Sequence, residues 1–242
     1  MSYTSLGELK SAVKRTDATD DTWLQILIDS ASIAIDRFCN RDEGFFVAQS
    51  EATDRYYRGR GASWQEIDEC IEVEQVAVKD SVSDATYTLW SAPTTNMAGD
   101  GDWLAFSGDP DDPDFNSLPY DALMVDINGD YSVFTGWQGV SDVYFRGGDL
   151  YPSRRSLRSS NLARVPTVRV RAKWGWSEEV PEGIRAACVM QASRWFKRLE
   201  GNMATALANA EFGTLEVYRT LDPDVGFILN QGRYIRPPTG RR

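Results

Sequence analysis

The chain has 242 residues, 42% of them hydrophobic and 12% aromatic, which suits a folded protein with a substantial core. It carries a net charge of −10 and no histidine at all, which excludes Ser-His-Asp and Cys-His nucleophile systems, the HExxH zinc site and imidazole acid–base chemistry. Three scattered cysteines, Cys39, Cys70 and Cys188, fit neither a disulfide framework nor a zinc ribbon and read as buried thiols in a reducing compartment.

In chain order, Ser5 and Glu8 have the spacing of a capping box, and Leu6, Leu9 and Val13 follow at helical intervals, predicting a helix over 5–15. Met1–Lys10 lacks a basic start followed by an apolar run, so no signal peptide is expected. The acidic turn 16–21 supplies N-cap residues for a second helix, Asp21–Cys39, with Leu24, Leu27, Ile28, Ala31, Ile35 and Phe38 on one face. From Phe45 to Lys173, short runs rich in Val, Tyr, Trp and Thr alternate with Gly, Pro, Asn and Asp clusters. They predict strands at 54–58, 71–78, 86–90, 122–127, 131–135 and 165–173, with Asn128-Gly129 as a two-residue hairpin turn. No stretch reaches the roughly 18 apolar residues of a membrane span.

Acids around Pro181 open a further helix, along which Ile184, Cys188, Gln191, Trp195 and Leu199 recur, with Gly201 as its stop. Met203–Ala210 is Ala-rich and reads as helical, and Asp222-Pro223 caps a last short helix over 224–229. Beyond Gly232 the chain reads as an extended basic tail, Arg233–Arg242. The fold class expected is α+β: a helical core from both chain ends, residues 1–48 and 165–242, carrying an inserted antiparallel β-rich, acidic region over 49–164.

Charge is divided unevenly: residues 1–150 sum to −18 and residues 151–242 to +8, which suggests two faces meeting different partners. Asp109, Asp111, Asp112 and Asp114, with Asn116, are close enough in sequence to surround a hard cation such as calcium. They lack a glycine-anchored ligand series, so the reading is a solvated loop rather than a metal site, and no cofactor is expected. Arg154, Arg155, Arg158, Arg164, Arg169, Arg171 and Lys173 form a basic stretch, read as contacts to acidic protein rather than as a dedicated nucleic-acid site. Trp90, Trp103, Trp137, Trp174 and Trp176 read as core or interface rather than as a sugar platform. No pair of acids stands out as catalytic, so the chain is not expected to be an enzyme.

Taken together, Thr19-Asp20-Asp21 with the helix after it, Trp174-Gly175-Trp176, Val180-Pro181-Glu182-Gly183-Ile184-Arg185-Ala186-Ala187, 194–198 and Leu221-Asp222-Pro223-Asp224-Val225 form an ordered series. Over about 4–41 and 165–236 the chain thereby resembles the head-to-tail connector, or head-completion adaptor, proteins of long-tailed double-stranded DNA bacteriophages. The resemblance implies a structural protein of the virion neck, made in the host cytoplasm and bound under the portal ring at the capsid vertex. It implies a homo-oligomeric ring of about twelve copies that extends the DNA channel, with loose passage of genomic DNA and no membrane. The ring would offer the docking surface for the stopper and other neck or tail proteins. The C-terminal segment that reaches into the portal in such proteins falls here on Arg233, Tyr234, Ile235 and Arg236. A calcium-assisted glycan-binding β module on a virion surface is the competing reading, resting on the aspartate loop and the tryptophans.

Overall fold

A computed structural model of the chain describes residues 1–97, 99, 101–107, 117–136, 143–146, 149–152, 165–205 and 221–236. The fold is mixed α+β, with four helices and a six-stranded antiparallel sheet among these residues. Two compact units divide it: Met1–Val47 with Glu179–Arg242, and Ala48–Glu178.

In the first unit, helix α1 (Leu6–Val13) is fixed at its start by the expected capping box. Ser5 Oγ accepts the Glu8 N–H at 3.2 Å, and the Glu8 carboxylate accepts the Ser5 N–H at 2.9 Å. Lys14 closes it in the left-handed region at φ 57°. Helix α2 (Asp21–Phe38) starts beside a Lys10–Asp21 ion pair of 2.5 Å and buries Leu24, Leu27, Ile28, Ala31 and Ile35 as its periodicity requires. Phe38, in the last turn, departs from expectation and is 40% exposed, while Ser32 and Asp36 are buried. Helix α3 (Glu182–Thr205) packs on α2, and helix α4 (Pro223–Gln231) packs on α3 through Val225 and Leu229.

Two expectations for α3 fail. The helix runs through Gly201 to Thr205: an interior glycine costs only about 1 kcal/mol relative to alanine, and Leu199, Met203 and Ala204 favour continuation. The rest of the Ala-rich run, 206–210, lies outside the described residues. The core aromatic is Phe196, 5% exposed, whereas Trp195 is only half-buried. The buried series is Ile184, Ala187, Cys188, Gln191, Ala192 and Phe196, a stripe rotated by one residue at its end.

The second unit holds the sheet, ordered β1 (Thr53–Tyr57), β8 (Val168–Trp174), β2 (Trp64–Val78), β5 (Tyr120–Val125) and β4 (Trp103–Phe106), with β3 (Thr88–Leu89) also paired to β2. Strand β8 alternates strictly. Val168, Val170, Ala172 and Trp174 enter the core, while Arg169, Arg171 and Lys173 lie on the other face. A separate pair, β6 (Val143–Arg146) and β7 (Asp149–Pro152), is antiparallel.

The Asn128-Gly129 hairpin is not formed. Neither residue has positive φ, which a type I′ turn needs, and β5 pairs with β4 rather than with 131–135. Asp126 takes over the turn, its carboxylate accepting the Asn128 N–H at 2.9 Å and its carbonyl the Gly129 N–H at 3.1 Å. Residues 131–135 are not a strand; they deliver aromatics to the core. The Trp90 ring stacks on Tyr131 at 4.4 Å and on Phe134 at 5.0 Å, and Phe134 is fully buried.

Trp174-Gly175-Trp176 is a chain crossing. Gly175 has φ 140°, and a Cβ there would lie 2.4 Å from Ala48 Cα, so only glycine fits. Around it the Ala48 N–H donates to Ser177 O at 2.8 Å, the Gln49 N–H to Trp174 O at 2.9 Å and the Gly175 N–H to Glu69 O at 3.0 Å.

Phe196→Ala is expected to destabilise the protein by about 3–5 kcal/mol in urea unfolding followed by circular dichroism, and Trp195→Ala by clearly less. Equal losses would contradict the placement of the two rings.

Candidate functional site

The residues that the sequence singles out at the end of the chain form a strap tied to the first unit, not an extended tail. After α4, Arg233 turns in the left-handed region at φ 54°, and the Tyr234 N–H donates to Leu229 O at 3.2 Å. The Arg236 N–H then donates to Cys39 O at 3.0 Å, and Asn40 Nδ2 donates back to Arg236 O at 3.1 Å. Arg41 Nε donates to Tyr234 O at 3.4 Å. Arg233 is exposed, and Tyr234, Ile235 and Arg236 are half-buried.

Tyr234 is the anchor. Its ring meets Phe46 edge-on at 5.5 Å and lies over two glycines: a Cβ on Gly183 would come within 2.9 Å of the ring, and one on Gly232 within 2.1 Å. Phe46 in turn meets Tyr3 edge-on at 5.7 Å. The start of the chain, the loop after α2 and the strap therefore share one aromatic column. Below it, the Tyr3 hydroxyl donates to Asp36 Oδ1, the Gly44 N–H donates to Asp36 Oδ2 at 3.0 Å, and the Tyr3 N–H donates to Ser32 Oγ at 3.1 Å. Burial raises the Asp36 carboxyl above the usual carboxylate range despite these donors, and burial and the Asp36 charge raise the Tyr3 phenol.

The helix that leads into the strap is held by charge. Asp222 caps α4, accepting the Asp224 N–H at 3.2 Å, and its carboxylate is paired with Arg194 and, at 3.7 Å, with Arg198. Arg194 also reaches Asp224 at 2.5 Å, and Gln191 Oε1 accepts the Asp222 N–H at 3.0 Å. The sequence revealed the cap at Asp222. The Arg194 and Gln191 partners, and the seat made by Tyr3, Asp36, Phe46 and Gly183, carry no local signal, since they are brought together only by helix packing.

Asp109, Asp111, Asp112, Asp114 and Trp137 lie outside the described residues, as do Arg154, Arg155 and Arg158. Among the described residues no group of three Cys, Asp or Glu side chains is placed to hold a metal ion, and no helix is long and apolar enough to cross a membrane. Trp90, Trp103 and Trp174 are buried in the sheet core and present no stacking platform. Two of the three bases of β8 are ion-paired within the sheet, Arg171 to Glu74 at 3.2 Å and to Asp54 at 3.9 Å, and Lys173 to Glu72 at 2.6 Å, while Arg169 lies over the Tyr87 ring at 5.7 Å. All three thiols are buried, with Cys39 pushed up to about 12 and Cys188 to about 11, so they stay protonated at neutral pH. No protein-family model matches the chain, and no curated protein matches it in sequence.

Because the folded carboxyl of Asp36 lies above its unfolded value, the folded state binds the proton more tightly. The stability this contributes is complete below the unfolded value, near 4, and is lost as pH rises through the folded one. Tyr3→Phe, which removes one donor to the charged form, is expected to cost about 1–3 kcal/mol at pH 7 and to steepen the decline in urea midpoint above pH 4. An unchanged pH slope would show that Asp36 does not carry it.

Proposed function

We propose that the protein is a structural head-to-tail adaptor of a bacteriophage neck, not an enzyme. In this reading a helical core from the two chain ends carries an inserted antiparallel β region and forms one subunit of a ring of about twelve copies under the portal. The observation that carries the reading is the tethered strap. Tyr234, seated on Phe46, Gly183 and Gly232, fixes the point and direction at which the chain leaves α4. A segment that must enter a neighbouring ring needs such a fixed exit, since ordering a free tail on binding costs affinity.

The resemblance of the ordered motifs to adaptor proteins supports the same reading. Asp222-Pro223 has a physical role in it: with Arg194 and Arg198 it pins the helix that feeds the strap. Residues 233–236 then act as the base of the portal-binding segment, and residues 237–242 make its reach. The ring extends the DNA channel, touches DNA only loosely, and offers its opposite face to the stopper and tail.

The direct test is the mass of portal rings from the same phage after incubation with the purified chain. Saturable addition of one chain per portal subunit is the expected result; no addition by folded protein would overturn the reading. Removing residues 237–242 is expected to abolish attachment and leave the melting temperature unchanged. Gly232→Val, which drives Tyr234 from its seat, is expected to weaken attachment at least tenfold while the sheet unit still unfolds normally. Undiminished binding by both variants would remove the strap from the portal contact.

A further inference from the structure

Helix α2 has a second apolar face. Opposite the side that it buries against α3, Trp23 is 60% and Ile26 46% exposed, and with Ser30, Ile33 and Arg37 they follow one another at intervals of three and four residues. A helix that is apolar on two sides is one that is covered on two sides. The same unit also has an open groove of about 630 Å³ between α1 and the first half of α3, with Ala12, Ala186, Val189 and Met190 as its apolar lining and Glu182 and Arg185 at its edge. The two patches share no residue. One is convex and bulky; the other is concave and lined with small or slender side chains.

We propose that the outward stripe of α2 in one copy of this chain docks in the α1/α3 groove of the next copy. The inference rests on the ring reading above and names the lateral contact of that ring. Charge favours the match: Arg37 at one end of the stripe and Glu182 at one end of the groove make no ion pair among the described residues. An antiparallel docking that joins Arg37 to Glu182 places Ser30 over Val189, because Ser30 lies seven residues before Arg37 and Val189 seven after Glu182, roughly 10 Å along each helix. In the same register Ile33 meets Ala186, and Ile26 falls opposite position 193, about one turn beyond Met190. Since the two patches differ, the contact is head-to-tail, the kind that generates a closed ring when its rotation closes.

The test is cysteine pairing between two separately purified variants, Ser30→Cys and Val189→Cys, under mild oxidation; the native thiols, being buried, supply the unreactive background. The mixture is expected to give a disulfide-linked dimer, each variant alone none, and the doubly substituted chain a ladder of higher species. Ser30→Cys linking to itself as readily as to Val189→Cys would mean that the stripe meets its own copy, and would overturn the proposal. Arg37→Glu and Glu182→Arg provide an independent measure in sedimentation, with or without portal rings: each alone is expected to reduce assembly at least tenfold, and the two together to restore it. Absence of both cross-link and rescue in protein that does assemble removes this contact and leaves the ring standing. A chain that stays monomeric even with portal present removes the ring reading, and this contact with it.

Discussion

Gly175 is the constraint on which the β unit depends. The incoming chain at Ala48 lies against its Cα with no room for a side chain, and three backbone hydrogen bonds tie the crossing to Ser177, Trp174 and Glu69. Entry and exit of the unit are thereby held side by side. Chain ends held side by side are what make a unit of this kind tolerable as an insertion. Trp174, the last residue of β8, is buried one position away, with its indole N–H donating to Thr53 O at 2.9 Å. The tight crossing and the sheet core therefore share a residue.

The helical unit is organised differently. Its apolar packing is ordinary, but its polar groups converge on two points: Asp36 beneath the aromatic column, and Asp222 at the start of α4. Both are buried carboxylates, and each is satisfied by its own means. Asp36 relies on neutral donors and is raised by burial, whereas Asp222 has two guanidinium groups. Truncating the partners of either would leave a charged oxygen pair without compensation.

How much of this was legible depended on how local the cause was. Ser5 with Glu8, and Asp222 with Pro223, announce helix starts because the cap and its partner lie within three residues. Leu24 to Ile35 announce a buried face because 3.6-residue periodicity is a property of the helix itself. The Asn128-Gly129 signal misled because turn chemistry is also local, yet the choice lay with β4, a four-residue run whose first three residues are all buried and which shows no alternation. Trp195 and Phe196 are neighbours, and only the exact rotation of α3 on α2 decides which one is buried. The strap was hidden for the same reason: Tyr234 needs Phe46 and Gly183, and no pattern in the sequence joins those three positions.

The division of the chain has a consequence during synthesis. Residues 48–178 are continuous, so the sheet unit can complete itself while the ribosome is still at work. Helix α2 is made before it and must wait, with Leu24, Ile28 and Ile35 uncovered, until α3 emerges more than a hundred residues later. The nascent helix marks the stage of synthesis at which most apolar surface of this unit lies uncovered, and the length of that stage is set by the residues that separate the two helical segments.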